Sequence, residues 1–145
     1  MSTSLSAQLI YSTIHTDKVT IRNSNDAFKV FIDNWNIDTI ELHEEFKILL
    51  LNRGNQVLGI YNHSKGGVHT TVADVRLILT CALKGAASGM ILCHNHPSNN
   101  LKPSKCDKEL TQKIKQGAKI LEINVLDHLI IGKEGYYSFG DEGII

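Results

Sequence analysis

The sequence predicts an α/β fold in which a mixed central sheet is covered by helices. Three observations carry this. Short apolar runs bounded by Gly and Asn mark strands, and longer stretches with apolar residues every three or four positions mark helices. Their order is mixed, with a hairpin in the first half and another at the end, which suits a mixed sheet better than a purely parallel one. The chain has 145 residues, enough for one domain with a sizeable core.

Residues 5–22 mix short apolar runs with polar residues and read as a strand pair or a loose arm. Ser24 reads as a helix N-cap, followed by Ala27, Val30, Phe31 and Trp35 at helical spacing, with the helix ending near Asn36. Residues 1–40 are thus expected to form an arm and helix packed on a domain spanning 41–145. Phe46 to Leu51 is an apolar run with one Lys, and the Asn-Arg-Gly-Asn turn after it leads to a hairpin partner, Gln56 to Tyr61. Gly66-Gly67 breaks the chain. Asp74 to Lys84 reads as a helix with Val75, Ile78, Leu79 and Ala82 on one face, and residues 90–93 as a short buried strand. Ser104 to Leu121 is the clearest helix. Leu110, Ile114, Ala118 and Leu121 form its apolar face, and Lys105, Lys108, Lys115 and Lys119 the opposite one. Ile123 to Ile131 and Tyr136 to Phe139 follow as strands around a Gly132–Gly135 turn.

Composition narrows the function. Apolar residues make up 42% and charged residues 21%, and the formal net charge is zero. That balance argues against a protein that lives on nucleic acid by charge alone, and the lysine face reads first as a solvated surface. No stretch is long and apolar enough to span a membrane. The N-terminus lacks the pattern of a secretory signal. The three cysteines, Cys81, Cys93 and Cys106, form no CxxC pair, which fits free thiols in a reducing cytoplasm.

The stretch ILCHNHPSNNLKPSKCD, residues 91–107, carries the chemistry. Residues two apart on a strand face the same side, so His94 and His96 can converge on one point while Cys93 and Asn95 point away. Asp107 falls in the first turn of the long helix, where the dipole favours a carboxylate. Two imidazoles and a carboxylate make a three-ligand zinc site with a fourth position open for water, the form of a catalytic centre. Each piece has a plainer reading. Most histidines bind nothing, and Ser104-x-x-Asp107 resembles a helix capping box with Asp in place of Glu or Gln. The joint pattern H-x-H-P-x(6)-S-x(2)-D is far more restrictive than its parts.

This motif resembles the JAMM (MPN-plus) metal-binding motif in the form found in the bacterial RadC family. EEFKILLLNRGNQVLGI (44–60), AASGMILCHNHPS (86–98) and VLDHLIIGKEGYYSFGDEGI (125–144) resemble RadC segments in the same order. The resemblance covers about Leu42 to the C-terminus. It implies a cytidine-deaminase-like three-layer α-β-α sandwich with a mixed central sheet. It further implies one zinc per chain held by His94, His96 and Asp107, and Ser104 at the site, hydrogen-bonding a substrate carbonyl or oxyanion. A glutamate from an upstream strand would be the general acid/base. The family pattern Glu-x-Phe points to Glu44, which alternation places with Phe46, Ile48 and Leu50. Glu45 is the runner-up. The family loop usually has Gly where this chain has Asn99, and Cys106 replaces a residue that is commonly Ala. Asp127-His128 also matches the family and reads as a buried hydrogen-bonded pair. His15, His43, His63 and His69 read as structural or surface residues.

The expected function is zinc-dependent hydrolysis of a peptide or isopeptide bond in a protein or peptide substrate. A zinc deaminase would need H-x-E and P-C-x-x-C, and neither occurs. A metal-free binding module is disfavoured because all the chemical roles have a residue present. A DNA-associated role, which the RadC label suggests, is disfavoured by the zero net charge, and residues 1–40 are too short for the family's helix-hairpin-helix region. DNA binding is therefore expected to be weak, non-specific and lost by physiological salt, because phosphate contacts release counterions and a patch of even a few lysines loses affinity steeply as salt rises. Titration with duplex and single-stranded DNA at low and physiological ionic strength checks this, and tight binding at the higher salt contradicts it.

Overall fold

The computed structural model describes residues 18–66 and 73–145 of the chain. Eight elements follow in order: α1 (Ser24–Asp33), β1 (Glu45–Leu51), β2 (Val57–Lys65), α2 (Val75–Lys84), β3 (Gly89–Asn95), α3 (Lys105–Ile120), β4 (Asn124–Ile131) and β5 (Tyr136–Ser138). Most of the expected arm, and His15 and His69, lie outside the described residues. Of the arm's end, Thr20 bridges Gln56, and the backbone of Val19 and Ile21 bonds to Val57 and Asn55.

The strands form one sheet in the order β2-β1-β3-β4-β5. All neighbouring pairs are antiparallel except β3 and β4, which are parallel. A parallel pair needs a long crossover, and α3 supplies it. Side-chain alternation then divides the core in two. Phe46, Ile48, Leu50, Met90 and Leu92 face α2 and α3, packing on Ile78, Ile114 and Ala118. Leu49, Leu51, Ile91, Cys93, Leu129 and Ile131 face α1, packing on Ala27, Phe31 and Trp35. The result is the three-layer α-β-α sandwich. Gly117 lets the two helices of one layer approach, since a Cβ there would lie 2.8 Å from Leu79 Cδ1. Among the described residues no helix is long and apolar enough to cross a membrane.

Several boundaries differ from the sequence reading. Asn23, not Ser24, caps α1: its side chain accepts from the Asp26 amide at 2.9 Å. Ser24 begins the helix, and its hydroxyl goes to Tyr136 and Asp141 instead. Asn and Ser cap about equally well, so only tertiary partners separate them. The helix ends at Asp33, yet Trp35 stays buried because a tighter turn, Trp35 amide to Ile32 carbonyl, continues the spacing. β2 runs on to Lys65 because β1 pairs with it along its whole length. β3 runs on to Asn95, taking His94 into the strand.

The one lysine in β1 is also accounted for. Lys47 is buried, but its ammonium donates to the Asn34 carbonyl at 2.8 Å and sits 4.7 Å from the Trp35 ring centre. A cation at a helix C-terminus over an aromatic face is doubly favoured. Phe31, fully buried between α1 and the sheet, tests whether α1 belongs to one cooperative unit. Phe31→Ala should cost about 3–5 kcal/mol in a single urea transition, whereas a separate early transition would mean that α1 frays from an independent core.

Candidate metal centre

The pairing of β1 with β3 sets Phe46 opposite His94. Their rings stack with centres 5.9 Å apart and planes 3° from parallel. His94 therefore points to the α2–α3 side at the end of the sheet. His96 lies just beyond the strand, but its amide still donates to the Ile131 carbonyl at 3.0 Å, so the alternation persists and both imidazoles share a side. Pro97 ends the run, and the chain turns back with the Asn99 amide donating to the His96 carbonyl at 2.9 Å. Asn99 has φ +63°, a conformation open to Asn at low cost. Its side chain holds the turn by accepting from the Lys133 amide and donating to Glu41.

The chain then reaches α3, where the plain and the chemical readings of Asp107 prove to coexist. Ser104 Oγ accepts from the Asp107 amide at 3.0 Å, and Asp107 Oδ2 accepts from the Ser104 amide at 2.8 Å, a complete capping box. The same carboxylate faces the histidines. Oδ1 lies 3.3 Å from His94 Nε2, Oδ2 lies 3.3 Å from His96 Nε2, and the two Nε2 atoms are 3.0 Å apart. His94 is buried, while the His96 and Asp107 side chains keep 18% and 16% of their surface exposed, so the cluster opens on that side.

A tetrahedral ion with bonds of about 2.0–2.1 Å holds its ligand atoms roughly 3.3 Å apart, so this spacing fits one. The outer nitrogens are occupied: His96 Nδ1 donates to the Asn100 carbonyl at 2.6 Å, and His94 Nδ1 lies 2.8 Å from His128 Nε2. That leaves both Nε2 atoms to face a common point, the arrangement ligating histidines show. His94, His96 and Asp107 could thus hold a metal ion, and the donor set suits a transition metal. Burial alone would raise the Asp107 carboxyl. The His94 and His96 imidazoles, when protonated, and the Ser104 amide outweigh it and hold the group far below the ordinary carboxylate range.

The family model for RadC-like JAB domains matches residues 21–144. This chain belongs to that family. A UPF0758 protein of Flavobacterium johnsoniae is 53% identical over 102 residues, covering 70% of this chain and 44% of that protein. A UPF0758 protein of Porphyromonas gingivalis is 48% identical over 103 residues, with 70% and 45% covered. The UPF0758 protein YfjY of Escherichia coli is 38% identical over 102 residues, with 70% and 64% covered. The RadC-like chain spans less than half the length of the first two. Its five-stranded mixed sheet between helices is the JAB/MPN-type α-β-α fold.

Glu44 and Glu45 part company in this RadC-like domain. Glu44 immediately precedes β1 and is half-buried. Burial pushes its carboxyl up, the His94 and His96 charges pull it down, and Asp107 pushes it up again. Glu44 therefore lies within electrostatic reach of all three donor residues. Glu45 instead has its carboxylate 3.8 Å from His43 Nε2. Asn95 sets this division. Fully buried between the two histidines, it donates to the Ile40 and His43 carbonyls and accepts from the Glu45 amide. All three bonds tie the 40–45 segment to β3.

Two residues of the centre escaped the sequence reading. Asp127 and His128 are a buried hydrogen-bonded pair, joined through the His128 amide, and the Asp127 carboxylate also accepts from Ser138 and the Gly140 amide. The His128 ring turns the other way, between His94 and Thr111. Only its motif position flagged His128, and nothing in sequence flagged Thr111. His63 accepts from the Asp74 amide and packs edge-on to Phe46. One equivalent of a transition-metal ion such as cobalt(II) should bind per chain, and His96→Ala should abolish stoichiometric binding, since two protein ligands rarely suffice. Elemental analysis after dialysis measures both, and full occupancy in the variant would remove His96 from the centre.

Proposed function

We propose that this domain is a zinc-dependent hydrolase of peptide or isopeptide bonds, with a protein or peptide as substrate. The observation that carries the reading is the convergence of two imidazoles and one carboxylate at one open end of the sheet, with the half-buried Glu44 within their electrostatic reach. Zinc, when bound, supplies an acidified water and a Lewis acid for the carbonyl.

The chain's residues have distinct parts in this reading. His94, His96 and Asp107 hold the ion. Glu44 takes a proton from the attacking water and later delivers it to the leaving nitrogen. A carboxyl raised by burial suits both halves of that task, because its proton affinity moves toward neutral pH. Ser104 Oγ already accepts from the Asp107 amide, which leaves its hydroxyl hydrogen free to donate to the oxygen of the reacting carbonyl. Ser104 is exposed and so open to a substrate. A cleft of ≈ 470 Å³ lined by Glu41, Asn99, Leu101 and Gly132 to Gly135 lies along the same loop as His96 and offers room for an extended chain.

Glu44→Gln should keep the fold and the zinc but lower hydrolysis by roughly 10²–10⁴-fold, the usual effect of removing a general acid/base. Glu45→Gln should be much milder. Cleavage of a peptide library and of isopeptide-linked substrates, with zinc content measured on the same samples, provides the comparison. If Glu45→Gln proves the more damaging variant, Glu44 is not the base.

A further inference from the structure

A line of contacts runs from the centre into the core. His94 Nδ1 is 2.8 Å from His128 Nε2, His128 Nδ1 is 2.6 Å from Thr111 Oγ1, and Thr111 Oγ1 donates to the Asp107 carbonyl at 2.7 Å. His128 and Thr111 are fully buried, so no water can exchange these roles.

The direction of every proton follows from the far end. A carbonyl oxygen only accepts, so the single Thr111 hydroxyl hydrogen is committed to Asp107. Thr111 Oγ1 must then accept from His128, which places a proton on His128 Nδ1. A neutral His128 consequently offers a lone pair at Nε2, and His94 must meet it with a proton on Nδ1. His94 Nε2 is left bare, facing His96 and Asp107. With the opposite tautomer, two N–H groups would collide between His94 and His128, or His94 would turn a hydrogen toward the donor cluster.

We infer that His128 is a positioning residue of the metal centre, which imposes the Nδ1–H tautomer and the ring orientation on His94 through a hydrogen-bond line anchored on the backbone of Asp107. The line closes a circuit. Asp107 contributes its carboxylate to the cluster, and its own carbonyl sets the protonation of the ligand beside it. The site is thereby prepared before any ion arrives. This inference rests on His94 acting as a ligand, and it concerns affinity and ring protonation rather than turnover.

Two measurements on the full chain test it. The first is metal affinity, read by competition with a chromophoric chelator for zinc and by the visible bands of cobalt(II). His128→Phe keeps a flat ring between Phe46 and Phe139 but removes the acceptor. It should weaken binding about 10–100-fold, as loss of such partners does, while the metal-free melting temperature holds or rises. His128→Gln restores an oxygen acceptor near the place of Nε2 and should recover most of the affinity. Equal affinity in His128→Phe and the parent, or a folded His128→Gln as weak as His128→Phe, overturns the inference. The second measurement needs no variant. Long-range nitrogen-15 NMR of the metal-free chain at mildly alkaline pH should find both His94 and His128 protonated on Nδ1 alone, and a proton on Nε2 of either ring overturns the inference. A parent chain that binds neither metal would instead strike the metal centre itself, and the NMR result would still decide the tautomer.

Discussion

Phe46 on β1 lies opposite His94 on β3, and most of what this domain can do depends on that register. A strand repeats every two residues, so a slip of one would turn every side chain to the other face. In the observed register the apolar residues Phe46, Ile48 and Leu50 seal against α2 and α3. His94 continues the same row into the donor cluster. The other row, Lys47, Leu49 and Leu51, meets α1 or its C-terminal turn. The buried packing that holds the sheet together is thus also what aims the centre.

The polar residues at the end of the sheet are secured by full hydrogen bonding, as buried groups must be. Asn95 uses both amide hydrogens and its oxygen. It points away from the cluster and still shapes it, because the segment it ties down leads into β1 through Glu44. Asp107 is shared more tightly. It caps α3, faces two histidines, and through its carbonyl anchors Thr111. A helix N-terminus favours negative charge, so the cap and the donor role reinforce one another. A substitution at Asp107 would therefore disturb the helix start as well as the cluster.

The His128 line adds a second layer of constraint. Carboxylates or carbonyls often hold the outer nitrogen of a ligating histidine. Here another histidine lies against the outer nitrogen of His94, and Thr111 lies behind it. Neutral partners in a fully buried place avoid the cost of an unpaired charge there. Burial accordingly pushes the His128 imidazole well below its ordinary pKa.

Much of the fold was legible in the sequence because local physics writes it there. The apolar period of α3, the turn after β1 and the short buried run at 90–93 each depend on neighbours within a few residues. So does the spacing of His94, His96 and Asp107, since a strand end and a helix start fix where those side chains can point. The cap of α1 was misplaced because Asn23 and Ser24 are locally equivalent, and only Tyr136 and Asp141, more than a hundred positions away, claim the serine hydroxyl. The Asp127-His128 pair was legible, but not the place of the His128 ring, because adjacent residues on a strand point to opposite faces and the ring's partners, His94 and Thr111, come from other elements. Asn95 was seen only as a residue pointing away, and nothing in the sequence marked Thr111. Their partners come from other elements, so their roles exist only once the sheet, α3 and the segment before β1 are packed together.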